Sequence, residues 1–79
     1  MIKIDFSKFS TRQEFHLWLK EQCHFPDYYG CNLDAMYDCL TENNFSFEIV
    51  EQELNSYQLA IIHVMEDAGC KVIIKRNNQ

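Results

Sequence analysis

Three short segments with the pattern of β-strands alternate with segments that have the pattern of helices, and this order restricts the possible folds more than any other feature. The predicted strands cover residues 1–6, 45–50 and 71–75, and the predicted helices cover residues 12–23, 33–41 and 57–68. Strands separated by helices are joined by crossover connections, which produce a parallel sheet. We therefore predict an α/β fold with a three-stranded parallel sheet packed by helices. A chain of 79 residues has room for one small domain, expected to span residues 1–79.

Capping side chains mark where the predicted helices begin. Thr11 and Glu14 have the spacing of a capping box, in which the Thr11 hydroxyl accepts from the Glu14 N–H while the Glu14 carboxylate reaches back. Asn32 is placed to cap the second helix, and Asn55 or Ser56 is placed to cap the third.

Two glycines and the last strand give further local predictions. Gly30 lies in a connecting loop and is expected to adopt a backbone conformation that a Cβ would disfavour. Gly69 follows the third helix, where glycine commonly ends a helix. Residues 72–74 are continuously apolar, as expected for a strand that is covered on both faces.

The acidic residues are concentrated in one part of the chain. Residues 21–67 contain ten acids and no Lys or Arg, whereas the net charge of the whole chain is −5. Such a surface repels phosphate, which argues against direct nucleic-acid binding and favours a basic protein partner, although a merely soluble acidic domain would look the same. No apolar run is long enough to cross a membrane, and the N-terminus lacks the apolar core of a signal peptide, so we expect a cytoplasmic protein without membrane binding.

The cysteines are expected to be reduced and to serve in packing. The cysteines are Cys23, Cys31, Cys39 and Cys70, and the histidines are His16, His24 and His63. No C-x-x-C spacing indicates a zinc site, and a cytoplasmic chain keeps its thiols reduced. A nucleophilic cysteine would need a histidine base, and the spacing singles out no such pair. Each histidine is expected at the surface or at the edge of the core, and we expect no catalytic residue, metal or cofactor.

The second predicted helix has an acidic face. At about 100° per residue its core-facing stripe consists of Leu33, Met36, Tyr37 and Leu40. Asp34, Asp38 and Glu42 share another face at positions i, i+4 and i+8. Each like-charge pair at this spacing costs a helix about 0.2–0.5 kcal/mol, so folding gains nothing evident from Asp38 and Glu42. Either this face is simply solvated, or it is a surface that meets cations, with the neighbouring tyrosines as aromatic anchors.

The segment Phe25–Thr41 closely resembles the signature of the barstar family, the intracellular inhibitors of barnase-type bacterial ribonucleases. It reads FPDYYGCNLDAMYDCLT, and the family pattern is P-[DE]-Y-Y-G-x-N-L-D-A-[LM]-[WY]-D-C-L-T. The similarity extends to the first strand, to the first helix with His16, and to Ala68–Cys70 with the strand after it. It leaves out residues 51–58, where this chain looks shorter than the family.

The resemblance implies both a fold and a function. Members of the family have a three-stranded parallel sheet with helices, and they bind a guanyl-specific ribonuclease one-to-one and occlude its active site. By motif, Asp38 would take the place of a substrate phosphate among the cations of the enzyme, and Asp34 would pair with a further cation. The implied partner-binding residues are Tyr28, Tyr29, Asp34, Tyr37, Asp38, Thr41 and Glu42. The expected partner is a basic, extracellular-type ribonuclease, and the free protein is expected to be a monomer.

The chain departs from the family pattern at three positions. Tyr37 stands where the family has Trp, Glu42 where it has Gly, and Val64 where it has an acid that faces the enzyme. These differences bear on which nuclease is bound. They also motivate an alternative function, an acidic binding module on the same fold whose basic partner is not a nuclease.

Overall fold

The computed structural model describes residues 1–76, which contain one parallel sheet of three strands in the order β1–β2–β3. The strands are β1 (Ile2–Ile4), β2 (Ser46–Val50) and β3 (Lys71–Lys75). The α-helices are α1 (Arg12–Cys23) and α2 (Leu33–Thr41), which lie between β1 and β2, and α3 (Ser56–Asp67), which lies between β2 and β3. The predicted fold class and order of elements are confirmed. Within residues 1–76, no helix is long and apolar enough to span a membrane.

The first strand is shorter than predicted, because a side chain ends it. The Asp5 carboxylate accepts hydrogen bonds from the Ser7 N–H (3.0 Å) and the Ser7 hydroxyl (2.7 Å). These bonds cap a 3-10 helix over Phe6–Lys8, in which Phe6 is buried. Local side-chain bonds of this kind compete with strand pairing. The prediction of a strand through residue 6 is therefore wrong for its last two residues.

The helix starts follow the predicted capping residues, with one change of partner. The Thr11 hydroxyl accepts from the Glu14 N–H (3.1 Å), but the Glu14 carboxylate accepts from the Ser10 N–H (2.7 Å) instead of completing a capping box. A reciprocal capping box is present in α3, where Asn55 and Gln58 each bind the other's backbone N–H, at 2.8 and 3.0 Å. Asn55, and not Ser56, is thus the cap of α3.

Left-handed residues end α1 and α3. Gly69 (φ +90°) follows α3 as predicted, and the N–H groups of Gly69 and Cys70 donate to the carbonyls of Glu66 and Met65, each at 3.0 Å. These two bonds form a Schellman motif. In α1 the left-handed position is taken by His24 (φ 57°), where a side chain is disfavoured.

The core covers β1 and β2 more completely than β3. Ile4 and Ile49 are paired in register and fully buried. Ile74 is level with Ile49 on the neighbouring strand, yet 55% of its surface is exposed. The prediction that residues 72–74 are covered on both faces is therefore wrong, because the core that buries Ile4 and Ile49 does not extend over Ile74.

Candidate functional site

The orientation of α2 is fixed by side chains at its start and on its inner side. The Asn32 side-chain oxygen accepts from the Ala35 N–H (2.8 Å), and the Asn32 amide nitrogen donates to the Gly30 carbonyl (3.2 Å). Met36 and Leu40 are fully buried in the core. Burial of this side turns the opposite side of α2 toward solvent.

The loop before α2 places its left-handed residue one position later than predicted. Cys31 has φ 55°, whereas the φ of Gly30 is not positive, so the prediction for Gly30 is wrong. Gly30 is favoured by close approach instead. A Cβ at this position would lie 3.1 Å from the Asn32 amide nitrogen, tighter than most contacts, and would press on the helix cap.

The acidic side of α2 is open to solvent. Asp34, Asp38 and Glu42 are all exposed, and the ion pairs found within residues 1–76 involve none of them. Consecutive acids lie one helical turn apart, so their charges repel one another. Three unpaired carboxylates on one side of a helix form a surface that can bind closely spaced cations.

Two further residues of the predicted site flank these acids. The Tyr37 side chain is 42% exposed. Thr41 is exposed at the end of α2, and its hydroxyl donates to the Asp38 carbonyl (2.8 Å). This bond leaves the Asp38 carboxylate free of the Thr41 hydroxyl.

A tight turn presents Tyr28 and withdraws Tyr29. The Tyr29 N–H donates to the Pro26 carbonyl (3.0 Å), which closes a four-residue turn directly before Gly30. Tyr28 is 83% exposed, whereas Tyr29 is 6% exposed and belongs to the core. The structure therefore brings six of the seven predicted contact residues to the surface of α2 and this turn, and it buries the seventh, Tyr29.

A buried histidine explains the inward position of Tyr29. His16 is fully buried, its Nδ1 lies 2.6 Å from the Tyr29 hydroxyl, and its Nε2 lies 2.7 Å from the Tyr57 hydroxyl. Burial lowers the pKa of His16, so the ring is held neutral. The expectation that each histidine lies at the surface or core edge is wrong for His16. A signal was available, because His16 continues the buried stripe of Leu19 and Cys23 at helical spacing.

All four cysteines are free thiols, and the environments of Cys23, Cys39 and Cys70 do not favour nucleophilic chemistry. Burial, with smaller contributions from Cys70 and Cys39, raises the pKa of Cys23 to about 12. Burial is also the main cause of the raised pKa of Cys39 and of Cys70. A thiol with a raised pKa is not ionised near neutral pH and is a poor nucleophile. Across residues 1–76, no group of three His, Cys, Asp or Glu side chains is arranged to hold a metal ion.

Comparison with known proteins relates the whole site to one family. A family model described as "Barstar (barnase inhibitor)" matches residues 1–71, which include the turn, α2 and α3. A protein of Bacillus subtilis (strain 168), named "Putative ribonuclease inhibitor YrdF", is 38% identical over 77 residues, which cover 85% of this chain and 82% of the relative.

Proposed function

The chain belongs to the barstar family, and we propose that it is a ribonuclease inhibitor that blocks the active site of a barnase-type enzyme with α2 and the turn before it. The observation that carries this proposal is the row of unpaired carboxylates on α2 beside an exposed tyrosine on the turn. The family membership supports the inhibitor role, and the surface of α2 supports the manner of inhibition.

Asp38 occupies the middle of the acidic row and is the proposed substitute for a substrate phosphate. A ribonuclease holds the phosphate of its substrate with cationic side chains, and a carboxylate can accept the same charge-assisted hydrogen bonds. Asp34, one turn earlier, would engage a further cation. Because no cation within residues 1–76 is paired with either carboxylate, both are available to the enzyme.

The exposed aromatic side chains would supply the apolar part of the contact. Tyrosines are enriched among the residues that dominate the binding energy of protein interfaces. Tyr28 projects from the turn and Tyr37 from α2, so the two rings would flank the acids. Thr41 and Glu42 would lie at the rim of the interface, near the end of α2.

The charge distribution would favour rapid association with a basic enzyme. Residues 21–67 have ten acids and no Lys or Arg, and the acids of α2 belong to this segment. A field of one sign steers an oppositely charged partner, and salt screens it. Association is therefore expected to slow as the ionic strength rises.

The test is inhibition of a purified barnase-type ribonuclease by stoichiometric amounts of the reduced protein, at low and high salt. The wild type is compared with Asp38→Ala and with Glu48→Gln. Glu48 lies on β2, on the face of the sheet that carries Lys3, so its loss removes one negative charge away from α2. Inhibition that is lost in Asp38→Ala and kept in Glu48→Gln would support the proposal.

The same experiment distinguishes ribonuclease inhibition from the alternative function, an acidic module that binds a basic partner other than a nuclease. A folded wild type that does not inhibit would contradict the proposal and would favour a basic partner that is not a nuclease. Equal inhibition by the wild type and Asp38→Ala would keep the activity but remove Asp38 from the central role.

A further inference from the structure

A hydrogen-bonded chain of three side chains runs beneath the turn and connects it to two helices. Tyr29 lies at the end of the turn, His16 lies on α1, and Tyr57 lies in the first turn of α3. The Tyr29 hydroxyl is 2.6 Å from His16 Nδ1, and the Tyr57 hydroxyl is 2.7 Å from His16 Nε2. The imidazole is thus bound at both of its nitrogens.

The protons of this chain can be assigned from burial. A neutral imidazole has one donor nitrogen and one acceptor nitrogen. The Tyr29 hydroxyl is buried, and within residues 1–76 its partner is His16 Nδ1, so it must donate there to satisfy its proton. Nε2 then carries the ring proton and donates to the Tyr57 hydroxyl, whose side chain is only partly buried. The donor direction runs from the turn, through α1, to α3.

Neighbouring side chains pack against the rings of both tyrosines in this hydrogen-bonded chain. The Tyr29 ring lies 4.8 Å from the Phe25 ring between centroids, and the Arg12 guanidinium lies 4.1 Å from the centre of the Tyr57 ring. Loss of either hydroxyl would leave a buried polar nitrogen of His16 without its partner, which is unfavourable.

We propose that His16 and Tyr57 act through Tyr29 as positioning residues, holding the turn in the conformation that presents Tyr28 to the nuclease. Tyr28 and Tyr29 are adjacent and the turn is closed by the Tyr29 N–H, so a fixed Tyr29 ring fixes the direction of Tyr28. This inference rests on the proposed function. It gives Tyr29, which the sequence predicted as a contact residue, the role of holding the turn from beneath. If the turn samples other conformations, the apparent affinity for the nuclease falls in proportion to the fraction of molecules whose turn has the binding conformation.

The test compares Tyr29→Phe and Tyr57→Phe with Ile62→Val. Ile62 lies on the buried side of α3 and takes no part in the hydrogen-bonded chain of side chains. Each tyrosine variant keeps its ring and loses one hydroxyl. Two quantities are measured: the dissociation constant for the nuclease, and the exchange rate of the Tyr29 amide proton in the free protein, relative to core amides. We expect both tyrosine variants to weaken binding, Tyr29→Phe by about three- to tenfold, and to speed this exchange. Ile62→Val is expected to bind within about twofold of the wild type, although it too destabilises the fold.

The two readouts distinguish failure of this inference from failure of the proposed function. If the wild type inhibits and Tyr29→Phe binds equally well, or if Ile62→Val weakens binding as much, the positioning role is overturned. If the wild type does not inhibit, the proposed function fails, and amide exchange alone decides whether the three hydrogen-bonded side chains hold the turn. Unchanged exchange of the Tyr29 amide in both tyrosine variants would then overturn the positioning role. His16→Gln, whose amide can both donate and accept, is expected to protect the Tyr29 amide better than His16→Leu does.

Discussion

Tyr28 and Tyr29 are neighbours in the sequence, but Tyr28 is 83% exposed at the surface whereas Tyr29 is 6% exposed and lies in the core. The turn that separates them is closed by the Tyr29 N–H and the Pro26 carbonyl. One aromatic ring is therefore available to a partner while the next stabilises the fold.

Alanine substitutions at these two positions are expected to separate binding from stability. Tyr28→Ala should weaken inhibition by about 2 kcal/mol or more, because an exposed aromatic anchor is lost, and should change the free energy of unfolding by less than about 0.5 kcal/mol. Tyr29→Ala should lower the free energy of unfolding by about 3 kcal/mol, because it leaves a cavity and a buried nitrogen without its partner. Urea unfolding and inhibition titrations measure the two effects. Equal destabilisation by both variants would contradict the assignment of Tyr28 to binding and Tyr29 to stability.

The charge of Asp38, in the middle of the acidic row, is expected to destabilise the free protein. Asp38 has an acid one turn away on each side, Asp34 and Glu42, so Asp38→Asn should raise the free energy of unfolding by a few tenths of a kcal/mol while it weakens inhibition. The stability gain should shrink in high salt, which screens exposed charges. Urea unfolding at two ionic strengths measures the gain, and a loss of stability in Asp38→Asn at low salt would count against repulsion on this helix.

The left-handed end of α1 offers a stabilising substitution. His24 is exposed and has φ 57°, a conformation that costs an L-residue about 1 kcal/mol and costs glycine little. His24→Gly should therefore raise the free energy of unfolding by about 0.5–1 kcal/mol. Gly69→Ala is the matched opposite, since Gly69 has φ +90° with open space around its Cα, and it should lower stability through backbone strain. Thermal melts of the two variants should shift in opposite directions.

Acid is expected to destabilise the fold partly through His16. Well above pH 6.5, the ordinary pKa of histidine, His16 is almost entirely neutral in both the folded and unfolded chain and contributes little pH dependence. Burial lowers the pKa of His16 in the folded state. As the pH falls below about 6.5, the unfolded chain binds a proton before the folded chain does, and stability is lost until the pH passes the folded pKa. His16→Gln should reduce the slope of the free energy of unfolding against pH in this window. Urea unfolding at several pH values measures the slope, and a slope unchanged from the wild type would contradict the prediction.

The helices were predictable because their ends are determined locally. Thr11 and Asn32 cap α1 and α2 as their types and positions indicate, and the acidic side of α2 follows from helical spacing. The shortened β1 was missed because Asp5 binds Ser7, a local competition that alternation of apolar residues does not reveal.

The hydrogen-bonded side chains beneath the turn, Tyr29, His16 and Tyr57, could not be predicted in the same way. Two adjacent tyrosines carry no sequence signal for which one faces the core, and the packing of α1 against the turn decides it. The contact between His16 and Tyr57 joins residues 41 positions apart and depends on how α1 and α3 pack together. Exposure of Ile74 likewise depends on how far the core extends over β3, which an apolar run alone does not show.

The open side of β3 has a consequence for concentrated solutions. A strand edge with unpaired backbone groups and a half-exposed isoleucine is a template on which a second molecule could add a strand. Lys71 and Lys75 stand at the two ends of β3. Whether a second β3 approached in parallel or antiparallel, these ammonium groups would meet groups of the same sign. Lys71 and Lys75 would therefore oppose strand addition at this edge, and acetylation of both, which removes their charge, would weaken that opposition.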